Sequence, residues 1–179
     1  MLDPAIGVLL IGCFALLFAS AALHKLRSPT RFTVVVDAYR ILPESLLRFA
    51  WLVPVAELAV AIALLVAAAR AVGALAGAAL LALYAAVIAL NLRRGRRDLA
   101  CGCGGADDAR PIAPWMVARN LALALLLALT LLPWKARALV PTDALTVGAG
   151  SAVATLLYVC LDRLLGRVAP WTQALRGPR

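Results

Sequence analysis

Five apolar runs, each about the length of a bilayer crossing, leave this chain only one solvent in which to fold. They cover roughly Pro4–Leu23, Leu46–Ala69, Ala71–Leu92, Pro114–Trp134 and Ala144–Leu165, and a helix needs about 20 such residues to cross the hydrocarbon core. Of the 179 residues, 64% are hydrophobic, against about 45–50% in a soluble domain. Lipid accepts the excess. The expected fold is all-α and integral to the membrane, with five transmembrane helices in one polytopic domain over residues 1–179, since bundled helices have no separate aqueous cores.

The net charge is +9 and the pI about 10.5, values that would also suit a nucleic-acid binder. The distribution excludes that reading, because the cations gather at the ends of apolar runs and no aromatic residues are interleaved to stack on bases. Placed there, they set membrane topology instead. Fifteen of the eighteen Lys and Arg fall on one side if the N-terminus lies outside, and only Arg70, Lys135 and Arg137 fall on the other. The positive-inside rule then puts the C-terminus and the loop after the third span in the cytoplasm.

The spans carry packing and anchoring signals. Gly73, Gly77, Gly148 and Gly150 are expected to let helix backbones approach closely. Trp51, Trp115, Trp134 and Trp171 stand near span ends, where interfacial aromatics belong. The first run carries Asp3 and no Lys or Arg ahead of it, the wrong sign for an export signal, so it reads as an uncleaved helix. After it, Ser28-Pro29 reads as a capped helix start. Phe32, Val35, Val36 and Tyr39 follow at helical spacing, predicting a short interfacial helix with its apolar face toward lipid, closed by Pro43.

Few residues could carry chemistry. Cys101-Gly102-Cys103 follows Arg93, Arg94, Arg96 and Arg97, and neighbouring guanidinium groups favour the reactive thiolate. A disulfide across one residue would be strained and readily exchanged. Three readings stand: an inert polar loop, metal capture and dithiol redox. A closed zinc site needs four ligands, and beyond this pair the chain offers only His24 and the intramembrane Cys13 and Cys160, so no metal is expected. Glu57 lies deep in the second span, where an ionisable group marks function by default. Asn91 and Arg119 are its expected partners, and a structural hydrogen bond is the alternative. His24, at the end of the first span, could meet a quinone carbonyl or carry a proton.

These residues together resemble a known family. Ala22-Leu23-His24-Lys25-Leu26-Arg27, Phe32, Tyr39-Arg40-Ile41-Leu42-Pro43 and Pro54-Val55-Ala56-Glu57 look like the first half of the methylamine-utilisation protein MauE family. Asn91 through Asp98 followed by Cys101-Gly102-Cys103-Gly104 look like its second half. The resemblance implies a DoxX-like four-helix bundle, to which the last span would be an addition. It implies a bacterial inner-membrane protein that assists maturation of a periplasmic client, methylamine dehydrogenase, beside a membrane-anchored thioredoxin-like partner. Cys101 and Cys103 would then exchange electrons with a partner dithiol, and a quinone site involving His24 and Tyr39 would be the one cofactor to look for.

Periplasmic thiol chemistry and a cytoplasmic cysteine loop conflict. An electron conduit across the membrane, a loop folded back into the bundle, or an exception to the charge rule would each resolve it. Two other functions stay open, a non-catalytic assembly factor and a small carrier centred on Glu57.

Overall fold

A computed structural model describes residues 1–100 and 111–174, with side chains as far as Leu165. The described residues form helices α1 (Pro4–Arg27), α2 (Pro29–Ala38), α3 (Glu44–Leu47), α4 (Leu52–Leu65), α5 (Arg70–Arg93), α6 (Pro114–Ala128) and α7 (Pro141–Ala174). Short 3-10 turns at Ala67–Ala69 and Leu129–Leu131 extend α5 and α6. Among these residues there is no strand, only two isolated bridges. Four stretches are long and apolar enough to cross a membrane: Pro4–Arg27, Ala67–Arg93, Pro114–Leu131 and Pro141–Leu165.

The second expected span differs from the rest. Its helix runs only from Leu52 to Leu65, shorter than a full crossing. Pro54 accounts for its start. A helix continuing from Leu46 would need an N–H at that position and would drive the pyrrolidine ring into the preceding turn, so the proline is confined to the first turn of α4. At the other end Val66 is extended. The chain then reverses so tightly that a Cβ on Gly73 would lie 2.9 Å from the backbone nitrogen of Leu64.

The core lies between α1, α4, α5 and α6. Ile11, Phe14, Phe18, Val60, Leu64, Leu81 and Leu127 are buried together. Gly77 sits where a Cβ would strike Leu127 and Phe18, and Gly150 lets α7 meet Leu9 of α1. Gly148 has open space around its missing side chain and takes no part in close packing, contrary to expectation. Helix α7 contacts the bundle mainly through α1. It leaves Leu145, Val153, Leu156, Leu157 and Leu164 exposed, as a lipid-facing helix should.

One sequence expectation about α2 is corrected. Ser28 occupies the N-cap, but its side chain makes no capping hydrogen bond. Part of the apolar stripe turns toward the bundle. Val35 and Tyr39 pack with Ile88, Ile112 and Met116 of the bundle, because the α1–α2 turn folds the short helix back over α5.

One end of the bundle is closed by a polar clamp. Arg137 donates to Asp3 at 2.8 Å and to Asp143 at 2.7 Å, tying the chain start to the first turn of α7. The Leu2 amide donates to the Pro133 carbonyl and the Lys135 amide to the Leu2 carbonyl. Trp134 lies against Gly7 and under the guanidinium of Arg70, 5.0 Å from the ring centre. Hydrogen bonds from Arg137 and from the Ala5 amide hold the Asp3 carboxyl below its usual range. Arg70 and Arg137, two of the three cations assigned outside by the charge count, thus meet at this end.

Candidate functional site

The opposite half of the bundle holds a buried ion pair. Lys25 Nζ donates to Glu57 Oε1 at 2.5 Å, with the two side chains 8% and 1% exposed. Tyr84 Oη donates to the same carboxylate oxygen at 2.7 Å. The ammonium also lies 5.7 Å from the Phe32 ring centre and 5.6 Å from that of Tyr84. Three helices build this cluster. Helix α1 runs past the expected end of the first span to Arg27. Its buried stripe of Ile11, Phe14, Phe18 and Ala22 therefore continues in register to Lys25. Helix α4 presents Glu57 and α5 presents Tyr84.

The expected partners of Glu57 are engaged elsewhere. Asn91, fully buried, donates to the Val87 carbonyl at 3.2 Å and accepts from Arg96 at 3.4 Å. Arg119 pairs with Asp162 of α7 and lies 5.2 Å from the Trp115 ring centre. The two displacements differ in kind: Asn91 shares a face of α5 with Tyr84 but lies two turns, about 10 Å, further along it, and Arg119 is turned to Asp162 of α7. Lys25 escaped notice because its setting, between His24 and Arg27, reads as a flanking charge. Asp162 was overlooked although it is an acid inside an apolar run, the signal that flagged Glu57.

Two cavities flank the ion pair and share Lys25 and Tyr84 in their walls. The smaller, about 50 Å³, is lined by the polar groups of Lys25, Glu57, Tyr84, Arg119, Asn120 and Tyr158 among apolar residues. It is polar and roomy enough to admit water. The larger, about 270 Å³, is bounded by Phe32 and Val36 of α2, Tyr39 just past its end, Val53 of α4, and Leu83 and Val87 of α5. Apart from Lys25 and the two tyrosine hydroxyls, its walls are apolar. The second oxygen of Glu57 is buried with no hydrogen-bond partner among the described residues. Leaving such an atom unmet has a cost, and the smaller, polar cavity that Glu57 lines has room for a water to meet it.

Tyr39 connects the larger cavity to the cysteine segment. Its hydroxyl donates to the Ala100 carbonyl at 3.2 Å. Ala100 pairs with Pro111 in an antiparallel bridge, and the Ile112 amide donates to the Leu99 carbonyl at 2.9 Å. Ala100 and Pro111, the described residues on either side of the cysteine segment, are therefore held together beside fully buried Ile112. Cys101 and Cys103 lie outside the described residues.

The arginine cluster sits on an ordered helix end. The Gly95 amide donates to Leu92 and the Arg96 amide to Asn91, a Schellman pairing made possible by Gly95 at φ 75°. Arg94 donates to the carbonyl of Arg40, itself at the left-handed φ of 47°. This contact joins the end of α5 to the end of α2. Arg93 and Arg97 belong to the same turn region. His24 is exposed and lines neither cavity. Cys13 is half-buried and Cys160 exposed, both as free thiols.

Four apolar helices of crossing length, a fifth shorter one, and ionic groups turned inward define a multi-pass helical membrane protein. A family model described as methylamine utilisation protein MauE matches residues 3–133. The chain belongs to this family. It is 43% identical over 165 residues to the methylamine utilization protein MauE of Paracoccus denitrificans, covering 88% of this chain and 86% of that one. Its identity to the protein of the same name from Methylophilus methylotrophus is 37%, covering 92% and 88% respectively. With that of Paracoccus versutus it is 40%, covering 98% and 96%. No solved structure matches the chain. The matched segment includes Lys25, Glu57, Tyr84 and the cysteine pair, while Asp162 lies beyond it.

Proposed function

We propose that this chain is an inner-membrane maturation factor of methylamine utilisation, acting through thiol–disulfide exchange at Cys101 and Cys103. Its client is a periplasmic protein of that pathway, methylamine dehydrogenase, and its redox partner is a thioredoxin-like protein. The observation that carries the reading is family membership across most of the chain. The Ala100–Pro111 bridge holds together the described residues on either side of the cysteine segment, and α5 ends shortly before it with Arg93, Arg94, Arg96 and Arg97. Guanidinium groups near a thiol favour thiolate.

The reading includes five crossings, with α4 and its flanking turns forming the second, the N-terminus outside and the C-terminus in the cytoplasm. The charge distribution supports this orientation. Deleting the gene and complementing it with Cys101→Ser, Cys103→Ser and the double variant tests the mechanism. Loss of dehydrogenase activity and of small-subunit disulfides is expected in all three. Full maturation with the double variant would leave a non-catalytic assembly factor as the surviving reading. Labelling both cysteines with a membrane-impermeant thiol reagent, in intact and in opened cells, fixes their side.

A further inference from the structure

We propose that the larger cavity binds a lipid-soluble quinone, with the Lys25 ammonium donating a hydrogen bond to a ring carbonyl. The cavity, about 270 Å³, falls just under the roughly 300–1,000 Å³ of small-molecule sites, a size for a ring rather than a whole lipid. Its walls of Phe32, Val36, Val53, Leu83 and Val87 select an apolar occupant. Lys25 makes that occupant a particular kind. An ammonium carries three donors, and among the described residues one of them reaches Glu57. The Phe32 and Tyr84 rings attract its charge without supplying an oxygen. The ammonium therefore also borders a space whose walls are otherwise apolar, where a donor left unmet is costly. A fatty acyl chain would fill the volume and leave such a donor unmet, and a strongly hydrated ligand would lose its water against these walls. A flat ring bearing carbonyl oxygens meets both demands.

The site also stands in the right place for the redox reading, on which its chemical role rests. Tyr39 forms part of the cavity wall and holds the carbonyl of Ala100, the residue before Cys101. A dithiol transfers two electrons and two protons to the quinone. The quinone becomes a hydroquinone, and the two sulfurs, oxidised, form an S–S bond.

The test uses the full chain in phospholipid nanodiscs with decylubiquinone as ligand and an azido-ubiquinone as photolabel. Saturable binding is expected, with label on residues 29–42 or 83–88. Lys25→Met should weaken binding about tenfold or more. Val36→Phe, which fills the cavity and leaves the ion pair intact, should block binding while the protein still melts cooperatively, and it decides the matter if Lys25→Met does not fold. No saturable binding, or label confined to other segments, would overturn the proposal. So would equal competition by decylbenzene, which has the chain but no carbonyls, since an acyl chain would then be the occupant. The Cys101→Ser/Cys103→Ser variant should still bind decylubiquinone. If it binds and also matures the client fully, the redox reading fails while the quinone site stands. If the native chain binds nothing, the site fails whatever the cysteines do.

Discussion

The molecule uses the same chemistry, a cation against a carboxylate, in two settings. At one end Arg137 bridges Asp3 and Asp143 in reach of water, and backbone amides of Ala5 and Val140 complete the carboxylates. In the opposite half Lys25 and Glu57 meet inside the bundle, with one carboxylate oxygen unpartnered among the described residues and a cavity on either side. The first arrangement fastens chain segments together. The second holds charge beside open space. A fastener has its hydrogen bonds filled from within, and a site leaves some for what enters.

Breaking the buried pair should have the largest effect. Glu57→Ala strands the ammonium, and removing one partner of a buried pair costs about 3–5 kcal/mol. Thermal unfolding in detergent should show a large drop. The double change Lys25→Met/Glu57→Leu should recover most of it, since two apolar residues leave no charge behind. A double variant as unstable as the single one would mean that the pair is a fastener after all.

Overpacking the hairpin comes next. Gly73→Leu forces a side chain against the backbone of Leu64, and strain of this kind costs about 1–3 kcal/mol. Gly148→Leu, where nothing lies within 4 Å, should leave the melting temperature nearly unchanged. Equal effects at the two positions would contradict the α4–α5 contact.

The clamp should yield the smallest change. Arg137→Ala should lower the melting temperature less than Glu57→Ala or Gly73→Leu, and the difference should shrink in high salt, which screens exposed charges. The pH dependence has a definite sign. Asp3 is held below the ordinary aspartate value of 3.8, so its contribution is complete above that value. It is lost as pH falls through the lower folded value. Asp3→Asn should flatten this acid limb, measured by melting from pH 6 down to about pH 3. An unchanged limb would show that Asp3 is not the titrating group.

How far these features were legible depended on whether the signal lay along the chain or across it. Apolar runs announce helices because lipid demands satisfied backbones, and α1, α5, α6 and α7 lie where the runs predict them. Glu57 was legible because a carboxylate in an apolar run is expensive wherever its partner sits. The partner was not, since the depth and phase at which separate helices meet chose Lys25 and Tyr84 over Asn91 and Arg119. The stripe of α2 was legible as apolar, but its packing with Ile88, Ile112 and Met116 was not, because periodicity gives a face and no address.

The sequence by itself determined the membrane as solvent, the helical class, the clustering of charge at helix ends and the resemblance to the MauE family. Hydropathy and local spacing are enough for each of these. Only the tertiary structure decided that α4 is short, that Lys25 turns inward to Glu57, and that α2 closes a cavity against α5. Those depend on how helices meet, where a rotation of one residue, about 100° around the axis, decides whether a lysine faces headgroups or a carboxylate.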